Sequence, residues 1–379
     1  MNEEIKLTWK GNIHLSSNEL FVGRVISKKI NEENLSIVLD GKDLKNNKFH
    51  LFNLDSSNNE EEYSISNIKH LYDMEIGDVI SIKHNKVRSI FRPKSNNNFI
   101  FATIRCNSNC LMCSQPPLDI DDTLENYLIW DYTIDLLNES PKHLTITGGE
   151  PTLLGERLVL LINKILKKFP DLLITILSNG RLLALENIID ILGSIKMRKN
   201  VVFAIPLYSD TYKVHDHIVQ AKDAFHQTCL GIHKISSLGF PVEIRIVLHK
   251  LSNPRLLSLS KFIHKNFPFV YHVTFMGLEI IGYTKANKSQ LIEQDSIMAG
   301  DNLLSSLNFL SSWKYNVSIY NTPLCHIPES LWIYAKQSIS DWKNSFKPEC
   351  EQCLLKKDCS GFFTWNIKYA EVKPILEKI

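Results

Sequence analysis

No uninterrupted apolar run in the 379 residues approaches the ~18 that a membrane helix needs. LVLLI at 158–162 is cut by Asn163 and Lys164. The opening MNEEIKLTWKGNIHL puts acidic residues first and has no apolar h-region, so it does not read as a secretory signal. A cytoplasmic protein without a membrane anchor is expected. Neither sign of charge is in excess: 43 Lys and Arg stand against 41 Asp and Glu, leaving +2. That balance gives no electrostatic case for nucleic acid or an anionic membrane as the main partner. What is present is a globular composition, 44% hydrophobic and 22% charged, in a length suited to two or three domains.

Eight cysteines in a cytosolic chain read as ligands sooner than as disulfides, and seven of them cluster. Cys106, Cys110 and Cys113 lie in IRCNSNCLMCSQPP with the spacing C-x3-C-x2-C. Thiolates bind iron–sulfur clusters and zinc. Three of them can hold three corners of a 4Fe–4S cube and leave the fourth iron open to a small molecule. Cys325, Cys350, Cys353 and Cys359 form a second set, able to close around a structural zinc or a complete cluster; spacing alone does not choose. His326 adjoins Cys325, an awkward place for a further ligand. Cys229, alone in AFHQTCLGIHKISSLG, reads as a small buried hydrophobe.

The chain divides by its patterning. Residues 1–95 hold short β-prone runs, LFVGRVIS, NLSIVLD, DVISIKH and KVRSIFR, between polar turns. They predict a small β-rich domain, structural or able to add a peptide to a sheet edge. SSNNEEE at 56–62 reads as a mobile loop and KSNNN at 94–98 as a linker. Over 96–289 strands alternate with amphipathic helices. Strands are predicted at Phe99–Arg105, His143–Thr147, Leu172–Leu177, Val201–Leu207, Val242–Leu248 and Val270–Met276. Six βα units predict an α/β fold, a partial (β/α)6 barrel whose ligands sit beyond the carboxyl ends of the strands. In 290–379 the rhythm is lost, and this segment reads as an appended metal-binding module.

The remaining motifs fall at strand ends. TGGEP, Thr147–Pro151, offers two glycines that let a ligand approach the backbone, and a Glu150 carboxylate that can accept from an amine. ILSNGR places Ser178 and Asn179 where they either bond a ribose or cap the turn at Gly180. PLYSD places Ser209 on the same rim. Arg245, in the apolar EIRIVLHK, needs a buried partner, with Glu243 the less favoured one. His215-Asp216 reads as a polar turn.

The cysteine spacing, with GGE one βα unit later, resembles the radical S-adenosylmethionine (SAM) superfamily. More narrowly, RCNSNCLMCSQPP, TITGGEPTLLG, TPLCHIPESLW and CEQCLLKKDCSGFF resemble the HxsC type of the His-Xaa-Ser system radical SAM maturases. The resemblance covers the barrel and the C-terminal module. It implies that Cys106, Cys110 and Cys113 ligate a 4Fe–4S cluster whose open iron binds SAM. Gly148, Gly149 and Glu150 would hold the SAM amine, and Ser209 or Arg245 its carboxylate. GLEIIGY, Gly277–Tyr283, resembles the loop that packs on adenine. The C-terminal cysteines resemble a shortened twitch or SPASM module, which implies an auxiliary 4Fe–4S cluster in preference to zinc. The implied activity is reductive SAM cleavage to a 5′-deoxyadenosyl radical that modifies a ribosomally made peptide with His-Xaa-Ser repeats. A sister radical SAM maturase and an electron donor such as flavodoxin or ferredoxin are the implied partners. Met112 stands where the superfamily usually has an aromatic residue. Two other readings stay open: a non-catalytic, metal-stabilised peptide-binding partner, and a radical SAM enzyme acting on a small metabolite or a tRNA.

Overall fold

The computed structural model describes residues 8–9, 12–13, 20–30, 35–46, 48–55, 64–66, 74–83, 86–292, 300–341, 343–369 and 371–376. The loop expected at 56–62 lies outside them. The chain forms two compact units, one of Met1–Phe101, Thr123–Thr145 and Leu160–Leu172, the other of Ala102–Asp122, Ile146–Val159 and Leu173–Ile379.

In the first unit eight strands form one sheet: β1 (Thr8–Trp9), β2 (Asn12–Ile13), β3 (Leu20–Ile30), β4 (Leu35–Asp43), β5 (Lys48–Asp55), β6 (Ser64–Ser66), β7 (Val79–Lys83) and β8 (Lys86–Phe91), in the order β1-β8-β7-β3-β4-β5-β6-β2. The β-prone runs of the sequence supply β3, β4, β7 and β8. Leu20, Phe21, Val22 and Val25 of β3 are buried. Gly23 lies opposite Gly41, where a side chain at 41 would strike the Val22 carbonyl. Helix α1 (Thr123–Leu136) packs in the same unit; Val22, Val79, Phe91 and Leu137 share a core, and Lys83 pairs with Glu125 at 2.5 Å.

A seven-stranded sheet follows in sequence: β9 (Asn98–Phe101), β10 (Leu144–Thr147), β11 (Ile174–Leu177), β12 (Val201–Pro206), β13 (Val242–Val247), β14 (His272–Met276) and β15 (Val317–Tyr320), ordered β15-β14-β13-β12-β11-β10-β9. Strands β11 to β15 pair in parallel. The connecting helices are α2 (Glu156–Lys168), α3 (Glu186–Gly193), α4 (Tyr212–Val219), α5 (Ala224–Ser237), α6 (Leu256–Asn266), the short α7 (Tyr283–Ala286) and α8 (Lys288–Leu291), and α9 (Gly300–Ser312). Apolar residues alternate along the strands. Ile244 and Ile246 of β13 are fully buried, and the alternate residues Glu243 and Arg245 lie on the opposite face.

The expected six strands are seven. VSIY, in the segment whose rhythm seemed lost, forms β15 beside β14, with Thr274 opposite Ser318. Four residues carry too little alternation to announce a strand, and pairing with β14 completes it. The KSNNN stretch is a turn that ends in β9, with Asn98 bonding the Arg92 backbone in both directions. A small hairpin, β16 (Asn344–Ser345) and β17 (Phe362–Phe363), lies within the C-terminal cysteine stretch. Among the described residues no helix is long and apolar enough to cross a membrane.

Candidate functional site

The cysteine loop leaves β9 where the strand predicted to reach Arg105 stops pairing as a regular strand. Residues 102–105 instead run against the GGE turn. The Gly149 amide donates to the Thr103 carbonyl at 2.7 Å, and the Glu150 amide to the Arg105 carbonyl at 2.8 Å. The two glycines serve this contact. A Cβ at Gly149 would lie 1.9 Å from the Arg105 carbonyl oxygen, and one at Gly148, whose φ is +139°, 2.5 Å from that of Thr103. The expectation that the glycines open the backbone to a ligand is therefore incomplete: the chain's own backbone is the first neighbour they admit. The Gly148 and Gly149 carbonyls accept no hydrogen bond among the described residues, leaving two acceptors at the turn.

Glu150 is fully buried, and its carboxylate is spent. Oε1 accepts from the Thr152 amide at 3.0 Å, the Thr152 hydroxyl at 2.6 Å and the Ser178 hydroxyl at 2.8 Å, while Oε2 accepts from the Asn179 amide at 2.7 Å. Burial raises its pKa, and these donors oppose the rise. Glu150 thus ties the GGE turn to the end of β11. Ser178, read as a possible ribose ligand, donates to Glu150 and accepts from the Gly180 amide at 3.0 Å. Asn179, read the same way, donates from Nδ2 to Asn107 Oδ1 at 2.6 Å and lies 3.7 Å from Cys106 Sγ. The Asn179 side chain braces the cysteine loop, and that of Ser178 ties the GGE turn to the end of β11.

Three residues that the sequence reading passed over complete the frame. Asp122 accepts from the Thr103 hydroxyl at 2.5 Å and from the Ile104 amide at 3.0 Å. Arg181 donates to the Asn107 carbonyl, and to Ser108 Oγ at 3.0 Å. Asn287 donates to the Leu111 carbonyl at 2.9 Å. Their only signal in sequence was a place just past a strand or motif. The C-terminal end of α4 helps as well: the Ile218 and Val219 carbonyls accept from the Leu111 and Asn109 amides at 2.9 and 3.1 Å. Met112 is buried with Leu111, Tyr208, Ile218 and Leu291, which accounts for an unbranched, adaptable side chain there. His215 is part of α4 and not of a turn; it is buried, and its Nδ1 accepts from the Tyr208 amide at 3.3 Å.

Burial pushes the Cys106 thiol up to about 11 and the Cys110 thiol up to about 12, and raises that of Cys113. The charge of Glu150 adds to the shift at Cys106, and the neighbouring Cys113 and Cys106 to that at Cys110. Such thiols become thiolates only beside strong positive charge, which a bound metal supplies. No three His, Cys, Asp or Glu side chains among the described residues converge on a site for one ion. A cube-shaped cluster asks instead for thiolates at separate corners, and the Cys106–Cys113 loop offers that set.

Ser209 and Arg245 are less open than expected. Ser209 is fully buried, and its hydroxyl accepts from the Thr211 amide at 3.2 Å at the entry to α4. Arg245 makes the salt bridge that ranked lower: Nε lies 2.6 Å from Glu243 Oε1. Residues two apart on a strand share a face, and a buried carboxylate needs a countercharge. Glu243 Oε2 contacts His272 Nδ1 at 2.7 Å, and His272 Nε2 contacts Ser318 Oγ at 3.0 Å. The two terminal nitrogens of Arg245 donate to nothing further among the described residues.

Cys325, Cys350, Cys353 and Cys359 line one cavity with Leu324, Phe362 and other apolar residues. Backbone amides point at the sulfurs: those of Leu324 and Gly361 at Cys359, each 3.4 Å away, and that of Ile375 at Cys353, 3.5 Å away. Hydrogen bonds of this kind stabilise thiolate ligands. His326 faces away; its Nε2 contacts the Glu371 carbonyl at 2.7 Å. Cys229 is half-buried in α5, and burial pushes its thiol up to about 12.

Residues 100–261 match the model of the Radical SAM superfamily. The match assigns a radical SAM domain, the domain of an enzyme, to these residues, and such a domain implies a 4Fe–4S cluster and SAM. No curated protein matches the sequence significantly. Among solved structures the chain is similar to Streptococcus suis SuiB bound to S-adenosylmethionine, at 15% identity and TM-score 0.46, covering 60% of this chain and 51% of that one. It is also similar to anSMEcpe with bound AdoMet and Cp18Cys peptide, at 14% identity and TM-score 0.46, covering 74% and 91%. A radical SAM methyltransferase from Sphaerobacter thermophilus shares 11% identity at TM-score 0.42, covering 78% and 76%. These are likenesses of fold, and the chain spans about half the length of SuiB.

Proposed function

We propose that the protein is a radical SAM peptide maturase acting on a ribosomally made peptide of the His-Xaa-Ser repeat type. The observation that carries the site is the join between the cysteine loop and the GGE turn. Three half-buried thiols and the Gly148 and Gly149 carbonyls, which have no partner among the described residues, are fixed to one backbone frame.

Cys106, Cys110 and Cys113 would hold the 4Fe–4S cluster, and the Gly148 and Gly149 carbonyls the SAM amine. The terminal nitrogens of Arg245 suit the SAM carboxylate. Glu150, Ser178 and Asn179 keep the turn and the loop in register. When bound, the cluster and SAM supply one-electron cleavage of the sulfonium and a carbon-centred radical able to take hydrogen from an unactivated position. The protein's part is to hold these atoms and keep water from them. The four C-terminal thiols suit an auxiliary 4Fe–4S cluster with every iron held by protein. The peptide class, and the sister maturase and reductant it implies, rest on the motif resemblance.

Anaerobic reconstitution with iron and sulfide, then dithionite and SAM, tests the reading. The wild type should release 5′-deoxyadenosine and Cys110→Ala should not. A colourless protein holding only zinc would favour the non-catalytic peptide-binding alternative. Co-expression with a His-Xaa-Ser peptide should then give a modified mass.

A further inference from the structure

The cysteine loop is braced on one side by the GGE frame. On the other it meets the turn into α7. The Tyr283 amide donates to the Cys113 carbonyl at 2.9 Å, and Thr284 Oγ1 to the Met112 carbonyl at 3.3 Å. Gly282 lies so close that a Cβ there would fall 2.3 Å from the Cys113 carbonyl oxygen and 2.6 Å from that of Ser114. Its φ of +55° also suits glycine. The position of the third cluster cysteine therefore depends on where residues 277–283 sit.

That stretch has little regular structure of its own. Asn366, from the C-terminal module, bonds its middle on both sides. Asn366 Nδ2 donates to the Leu278 carbonyl at 3.0 Å, and the Ile280 amide donates to Asn366 Oδ1 at 2.8 Å. The paired bonds act like a rung of sheet, and no other residue type of this length offers both donor and acceptor in that geometry. Lys343 adds an ion pair to Glu279 at 3.3 Å while lying over the Trp365 ring. Asn366 is in turn tied to the four-cysteine site. Its amide donates to the Phe363 carbonyl at 2.8 Å. Phe362 and Phe363 form β17, paired with β16, and Phe362 lines the cysteine cavity. Cys359 is only seven positions before Asn366, and the turn between them is fixed by Gly361 at φ +66° and by Ser360, whose hydroxyl donates to the Thr322 carbonyl at 2.7 Å.

We propose that Asn366 is a positioning residue through which the C-terminal cysteine module sets the Cys113 end of the SAM-cluster loop. Filling the four-cysteine site orders Cys359–Phe363, this holds Asn366 against Leu278 and Ile280, and the stretch so placed seats Cys113 through Gly282 and Tyr283. The auxiliary site thereby tunes SAM binding without touching SAM. This inference rests on the radical SAM reading of the Cys106–Cys113 loop.

The test uses full-length protein reconstituted anaerobically, with two readouts besides turnover. One is amide hydrogen exchange of peptides spanning 277–287 and 106–114. The other is the SAM dissociation constant, with the SAM-induced change in the electron paramagnetic resonance spectrum of the reduced protein. Asn366→Ala should keep its full iron content, speed exchange in both peptides and weaken SAM binding about tenfold. Asn366→Asp, which keeps the acceptor for the Ile280 amide and loses the donor, should fall between Asn366→Ala and the wild type. Cys353→Ala should reproduce the Asn366→Ala exchange pattern. If Asn366→Ala does not fold, Asn366→Asp decides. Faster exchange confined to 343–369, with SAM affinity within twofold of the wild type, overturns the proposal. Wild-type protein with no SAM-dependent spectral change overturns the SAM reading itself, and this inference with it.

Discussion

Gly149 lies so close to Arg105 that a single added methyl would sit 1.9 Å from the Arg105 carbonyl oxygen. That contact joins the turn after β10 to the start of the cysteine loop, and it makes a sharp prediction. Gly149→Ala must push two backbones apart, at a cost of ~1–3 kcal/mol or more. The displaced loop should fail to retain its cluster. Iron and sulfide per chain should drop by about half, the share of one of two four-iron clusters, and thermal unfolding should begin earlier. Wild-type iron content in Gly149→Ala would show that the contact is relaxed in solution.

Glu150 should behave as a structural anchor. Glu150→Gln turns one acceptor oxygen into an NH2 that faces the donors of Thr152, Ser178 and Asn179. Leaving buried donors unsatisfied costs roughly 1–3 kcal/mol, more where a charge was involved. Glu150→Gln should lower the denaturation midpoint and SAM affinity together. A variant with unchanged stability and selectively lost SAM binding would return the carboxylate to the role of direct amine ligand.

Arg245 and Glu243 should be worth little as a pair and much as partners. Arg245→Met alone leaves Glu243 buried beside His272 without its guanidinium, and breaking such a pair costs about 3–5 kcal/mol. The double variant Glu243→Gln, Arg245→Met should recover much of that loss. Urea denaturation of the two singles and the double forms a cycle, and simple additivity would argue against a coupled pair.

Two buried histidines give the fold an acid limit. Burial, reinforced for His215 by the Arg181 charge, holds His215 down to about 3, and burial holds His249 down to about 4. A histidine freed by unfolding regains its ordinary value of about 6.5. Below that value the unfolded chain binds more protons, so stability is full above it and falls as the pH drops toward the folded values. Between pH 7 and 5.5 each should cost roughly 1 kcal/mol. His215→Asn keeps an acceptor for the Tyr208 amide and cannot take up a proton, so its stability should vary less over that range, as read by denaturant titration at each pH.

The C-terminal cavity separates a closed iron–sulfur site from zinc. Wild-type protein purified without oxygen should contain about eight irons per chain, and Cys353→Ala about four. Stoichiometric zinc, retained until a C-terminal cysteine is replaced, would assign the module to a structural metal.

Much of this was legible in the sequence because it is local. C-x3-C-x2-C puts three thiols within one loop whatever the rest of the chain does. The alternation of apolar residues in HLTIT marks a strand because side chains alternate across a sheet, and the unbroken apolar run VVFAIP marks one covered on both faces. The short VSIY strand was not legible, since four residues need a neighbouring strand to define them. Nor were the partners of the polar residues. Ser178, Asn179 and Glu150 looked like ligands because each is a polar residue at a strand end, the property that also suits a bracing role.

Which of those roles each residue takes depends on contacts between positions 28 to 88 residues apart, such as Ser178 with Glu150 and Asn366 with Leu278. No local pattern encodes them. The sequence by itself determined the chemistry available: seven clustered thiols, a GGE turn and an alternating α/β frame. Only the tertiary structure decided how it is spent. A buried carboxylate, guanidinium or amide must find its hydrogen-bond partners inside the protein, and those partners are set by the folding of the whole chain. Hence Glu150 and Arg245 are engaged by the protein's own groups, while the carbonyls of Gly148 and Gly149 meet no donor among the described residues.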